Sequence, residues 1–305
     1  MEKFDFIGRT YSEQEKEALS KELDARHEHA RAPIENELEK TEDDLKIISE
    51  INEIMGKELK ELGIDEFIPI SPNQIHLLTA AEFEKEFPGN ASRGLHFSTE
   101  KGIYINKDIN PSKMKLTATL FHEMVHCVAK TKYYSEEGKI YDARSGYRIT
   151  SDWKEKDMPH LEGFNELVVD YTTYFWLHKN ADSVQEKLAL TREDIDGSNY
   201  AYMSLGMLME VIVGDVVKLR QKDDPDQVNT KVLSDLITGQ FDNTLLFLKE
   251  VDAAFGRGST KILSKLGANT REEDPELFGK IMDYFMITDK MDKQLRENIR
   301  KELGV

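Results

Sequence analysis

The chain has 305 residues, 39% hydrophobic and 32% charged, so it can bury a real apolar core in one large domain or two ordinary ones. Its formal net charge of -17 repels phosphate backbones and anionic lipid, which excludes nucleic acid and membrane surfaces as partners and leaves proteins, peptides and metal cations. The single cysteine, Cys127, excludes an intramolecular disulfide and fits a reducing, cytoplasmic compartment.

The first residues, MEKFDFIGRTYSEQEKEALSKELD, lack a basic stretch followed by an apolar run, so no signal peptide is expected. Residues 11 to 62 read as helix. Ser12 with Glu15 forms a capping-box pattern, and Pro33 divides the segment in two. The second piece carries an apolar seam of Leu38, Leu45, Ile48, Met55, Leu59 and Leu62 that closes at Gly63. The expectation is an N-terminal helical arm, residues 1–63, packed on the body as a hairpin; the alternative is a coiled-coil-like surface that docks a protein partner. His27 and His29 stand two apart, do not share a helix face, and are expected at the surface.

Residues 64–130 change texture. QIHLL, GLHF and GIYIN are separated by the turn signals SPN, FPGNAS and STEKG, which predicts three strands, with LHFSTEKGIYIN as a hairpin. Asn110 as N-cap and Pro111 at the first helical position then predict a helix from about 111 to 130. Its apolar residues (Met114, Leu116, Leu120, Phe121, Met124, Val125 and Val128) surround it nearly completely, so it is central. Residues 131 to 160 are polar, with SGYRIT as one more strand. From LEGFNELVVDYTTYFWLHK onward the pattern is helical. The most apolar long run, YMSLGMLMEVIVGDVVKL, is interrupted by Glu210, Gly214 and Asp215 and reads as a buried helix rather than a membrane span. The expected fold class is α+β, in three parts: the arm 1–63, a sheet subdomain 64–130 with its central helix, and a helical C-terminal lobe 131–305.

On that central helix stands HEMVH. His122 and His126 are four apart, so both imidazoles can point at one ion, and neutral imidazole is a ready zinc ligand. Glu123 lies about 100° around from His122, beside such an ion, where it can accept a proton from water that zinc has made acidic. Burying two histidines and a glutamate unpaired would be costly, so this helix has a reason to carry them. A catalytic zinc needs a third protein ligand and an open fourth position. The candidates that follow are Glu136, Glu137, Asp142, Asp152, His160, Glu162, Glu166, Asp170 and His178; Glu166 and Asp170, four apart on the otherwise apolar helix NELVVDYTTYF, answer the need best, since Glu166 can reach the ion and Asp170 can hold a ligand histidine from behind.

HEMVH followed by N-E-x-x-x-D resembles the gluzincin metallopeptidases, the thermolysin-like clan, over roughly residues 75 to 250. SGYRI, GFNELVVDY and LITGQFDNTLLFL are similar to small intracellular bacterial members. The resemblance implies a zincin-like fold with one Zn2+ per chain held by His122, His126 and Glu166, Glu123 as general base, and Asp170 supporting the first histidine. It also implies hydrolysis of a peptide or protein substrate lying along an edge strand, for which GIYIN is the candidate. Asn165 matches the residue before the third ligand. The chain departs from the pattern in the separation of His126 and Glu166, which are 40 positions apart, farther than in thermolysin itself, and in lacking counterparts of thermolysin's calcium sites and later catalytic histidine. The clan often supplies an oxyanion stabiliser from the lower lobe; Tyr200 and Tyr202 are the candidates here, with Tyr147 and His178 in reserve. Cys127, turned away from the ion, is expected in the core. The rival readings are a catalytically silent zincin-fold binding protein and a processing factor dedicated to one partner docked on residues 11–62.

Overall fold

In the computed structural model, which describes residues 4–150, 159–196, 203–220, 225–267, 270–287 and 293–305, a short strand β1 (Asp5–Phe6) precedes helix α1 (Glu13–His29). The Ser12–Glu15 capping box forms, each side chain accepting the other residue's backbone N–H. The helix is broken around Pro33, and α2 (Glu42–Glu61) starts at a second capping box, Thr41 with Asp44. The buried seam of α2 is Ile47, Ile48, Ile51, Ile54, Met55 and Leu59. Leu45 lies beyond the edge of the stripe those residues span and is exposed, contrary to expectation. His27 is also a correction: it is buried, not at the surface, because the strand at the N-terminus brings Phe4 over it, edge to face with ring centroids 5.5 Å apart. His29 is exposed.

Next come β2 (Ile75–Leu78), α3 (Ala80–Glu86), β3 (Gly94–Phe97), β4 (Gly102–Asn106) and α4 (Lys113–Val128). The three strands form one sheet in the order β2-β4-β3, with β2 parallel and β3 antiparallel to β4. GIYIN, expected at the edge, is therefore the middle strand. All five of its residues are buried, as suits a strand paired on both sides, and the edge strands are β2 and β3 (GLHF). Another correction concerns the start of α4. Ser112, not Asn110, is the N-cap, its hydroxyl accepting the Lys115 N–H at 3.2 Å. The Asn110 side chain is used elsewhere: it donates to the carbonyls of Arg93 (3.0 Å) and Asn106 (2.8 Å) and accepts from the Thr119 hydroxyl (2.8 Å), fastening the sheet to α4.

Where only SGYRIT was expected, strands β5 (Thr131–Glu136), β6 (Lys139–Ser145), β7 (Arg148–Thr150) and β8 (Pro159–His160) form a five-stranded sheet in the order β1-β5-β6-β7-β8. Strand β1 runs parallel to β5, while β7 is antiparallel to both its neighbours. The β5–β6 turn is Glu137–Gly138, both at positive φ (50° and 77°), the backbone that a two-residue hairpin needs.

The rest of the described chain is helical: α5 (Glu162–Lys179), α6 (Ala181–Leu188), α7 (Arg192–Asp196), α8 (Met203–Arg220), α9 (Pro225–Asp242), α10 (Leu246–Phe255), α11 (Ser259–Leu263), α12 (Thr270–Glu273), α13 (Pro275–Met286) and α14 (Lys293–Glu302). The fold is mixed α+β. Two compact units form, Met1–Ala143 with Thr172–Tyr200 and Arg144–Tyr171 with Ala201–Val305, and the division falls inside the single helix α5. In the first unit, buried carboxylates of α2 clasp α5 and α6: Glu58 accepts from Lys179 (2.6 Å) and Asn180 (2.8 Å), and Glu50 from Ser183 (2.7 Å). Removing one partner would strand a buried charge, so such pairs fix register even where their net stabilisation is small. In the second unit, Phe164, Leu167 and Val168 of α5 share a core with Leu208, Leu236, Phe247 and Phe285. Among the described residues no helix is long and apolar enough to cross a membrane.

Candidate metal centre

Helix α4 is held at both ends. Ser112 caps its first turn, and at its last turn the Lys101 ammonium donates to the carbonyls of Cys127 and Ala129, a cation where the helix dipole favours one. Along it, His122 and His126 face each other with Nε2 atoms 3.1 Å apart. Two nitrogens at zinc-ligand distance from one tetrahedral ion would stand about 3.3 Å apart, so the pair needs no rearrangement to share a metal.

Glu166 completes the donor set: the ligand atoms of His122, His126 and Glu166 all lie within 4.8 Å of one another, and each residue is half-buried. No other such group of His, Cys, Asp or Glu side chains occurs among the described residues. Two imidazoles and one carboxylate are the ligands of a catalytic zinc that keeps a fourth position open, so the residues fit the metal that the sequence implied.

Glu123 is 7% exposed and lies under β3. A Cβ added to Gly94 would stand 2.9 Å from Glu123 Cγ and 3.0 Å from its Oε1, so only glycine lets the strand pass this close. Cys127, the residue after His126, is buried, and its thiol points to the Lys101 carbonyl at 3.7 Å.

Glu166 owes its place to the start of α5. Leu161, just before the helix, takes a left-handed φ of 62°, a conformation that costs a non-glycine residue roughly 1–3 kcal/mol and is sustained by its surroundings. The Gly163 N–H donates to the Leu266 carbonyl at 3.0 Å; a Cβ there would lie 2.7 Å from that oxygen. Asn165, 3% exposed, accepts the backbone N–H groups of Tyr147 (2.9 Å) and Arg148 (3.3 Å). Asp170 is buried one turn after Glu166, and Glu162 stands one turn before it. Burial raises the Glu162 carboxyl above its usual range and the Glu166 charge raises it further, with Arg148 opposing both. Three carboxylates thus share one face of α5, and a bound cation would offset their mutual repulsion.

Of the other expected residues, Tyr200 and Tyr202 lie outside the described residues. Tyr147 is fully buried, its hydroxyl donates to the Leu236 carbonyl at 2.9 Å, and burial pushes its ionisation far above the ordinary range, so that proton is committed to the core. His178 lies twelve residues beyond Glu166 on α5, about 18 Å along the axis, beside Asp196 and Arg192. Neither reserve residue joins the cluster. Sequence reading missed Gly94, Gly163 and Lys101. A glycine inside a strand pattern signals close backbone approach and could have flagged the first, whereas Gly163 and Lys101 act through residues remote in the chain. Comparison of the chain with known protein families, with curated proteins and with solved structures finds no match.

Proposed function

We propose that this chain is a zinc-dependent metallopeptidase of gluzincin type with a zincin-like active-site architecture, working in a reducing, cytoplasmic compartment. The observation that carries this reading is the convergence of His122, His126 and Glu166 on one point, with Glu123 next to the first of them in the chain. When bound, zinc supplies Lewis acidity that lowers the pKa of water to about 7 and polarises a carbonyl. The chain's own residues do the rest. Glu123, held under Gly94, takes a proton from the attacking water and passes it to the departing amine. Its burial keeps the carboxylate away from bulk water, which strengthens both transfers. Asp170 is the proposed partner of the ligand His122, fixing its tautomer and ring orientation. An extended peptide would add to the edge strand β3; that Gly94 of this strand lies against Glu123 supports this reading. Tyr200 and Tyr202 are the proposed oxyanion stabilisers.

Zinc stoichiometry together with peptidase assay tests the proposal. The wild type should hold close to one zinc per chain. Glu166→Ala should lose most of it, and Glu123→Gln should keep the metal but lose activity. Full zinc in Glu166→Ala would remove that residue from the ligand set, and a wild type without zinc would end the proposal.

A further inference from the structure

Strand β3 turns two residues toward α4. Gly94 and His96 are two apart and share one face of the strand, while Leu95 and Phe97 on the other face join the Tyr104 cluster. Gly94 lies against Glu123. His96 lies against His126: the two imidazole planes are 6° from parallel, with centroids 6.4 Å apart. The strand therefore touches the candidate base with one residue and a candidate ligand with the next on that face.

A histidine on a helix has a broad χ2 well, so its ring plane is not set by the backbone. A ligand ring that swings by some tens of degrees aims its nitrogen away from the ion. The ring plane of His126 decides whether its Nε2 meets that of His122, 3.1 Å away. A flat ring laid parallel to His126 restricts that swing by packing. His96 is not itself in the ligand group, which is His122, His126 and Glu166.

We infer that His96 is a positioning residue for the metal site, holding the His126 imidazole in its ligating plane by offset parallel packing of its ring from the edge strand. The inference rests on the zinc reading above and deepens it: β3 sets up the metal site as well as the base. The two rings lie parallel but offset, with centroids 6.4 Å apart; if the bulk of the neighbouring ring is what restrains His126, a phenyl ring substitutes for the imidazole, whereas a side chain without a ring does not.

The test compares the intact wild-type chain with His96→Ala, His96→Thr and His96→Phe. Zinc affinity is measured by competition with a chromophoric chelator, and the visible spectrum is recorded after substitution with Co(II). Threonine is a second variant without a ring and suits a strand better than alanine, so a folding defect in one does not end the comparison. The expected result is zinc binding weakened on the order of 10–100-fold in the Ala and Thr variants, with shifted Co(II) bands, and both properties largely restored in His96→Phe. Wild-type affinity and spectrum in the ringless variants would overturn the inference and leave the zinc reading standing. Equal loss in all three variants would also overturn it, since the nitrogens rather than the ring plane would then matter. A wild type that binds neither metal would remove both.

Discussion

Helices α4 and α5 carry the candidate ligands by different means. On α4 the two histidines are one turn apart, so helix geometry alone brings them together, and the helix is secured by Ser112 at one end and Lys101 at the other. On α5 there is one candidate ligand, Glu166. Its place is set by the strained Leu161, the Gly163–Leu266 hydrogen bond and the acceptance of two backbone N–H groups by Asn165. The first arrangement is written in adjacent residues, while the second depends on strand β7 and on chain a hundred residues downstream.

The contrast can be broken at several points, taken here from the largest expected effect to the smallest. Gly94→Ala drives a methyl group into Glu123 and Thr119 without touching a ligand. A displacement of the proposed base by even an ångström should lower kcat on the order of 10²-fold while zinc content stays at the wild-type level, which a steady-state peptidase assay beside elemental analysis will show. Asn165→Ala leaves the Tyr147 and Arg148 N–H groups without their acceptor. It should cost about 1–3 kcal/mol in urea denaturation, and zinc affinity should fall because Glu166 is the neighbouring residue. If stability falls but zinc affinity does not, Glu166 is held by something other than this turn. Ser112→Ala removes the α4 cap and should cost about 1 kcal/mol, with little change in zinc affinity, because the histidine pair is set ten residues further on by the helix itself.

A pH dependence near the C-terminal end of α4 stands apart from these substitutions. Burial depresses His27 to about 4, and the positive charge of Lys101, which caps α4, adds to this. The unfolded chain therefore binds more protons than the folded one between about 6.5 and 4. The stabilisation is complete above the unfolded value and is lost as pH falls toward 4. Urea midpoints at pH 7 and pH 5 should differ less for His27→Gln than for the wild type; an equal difference would assign the acid sensitivity to other groups.

The sequence by itself determined the local features. The Ser12–Glu15 capping box, the break near Pro33, the three strands at QIHLL, GLHF and GIYIN, and the helix bearing HEMVH all follow from neighbouring residues whose spacing sets backbone geometry. The i, i+4 spacing of His122 and His126 belongs with them. Tertiary structure alone decided the rest. Which strand is the edge depends on β2 pairing with the free side of β4, a contact that no local pattern encodes. His27 is buried because a distant aromatic folds over it. Strands β5 and β6 were unreadable because their residues are largely polar and their order comes from pairing with one another and with β1. Glu166 joins the histidines for the same reason. His126 and Glu166 are 40 positions apart and lie on different helices, so no local pattern relates them.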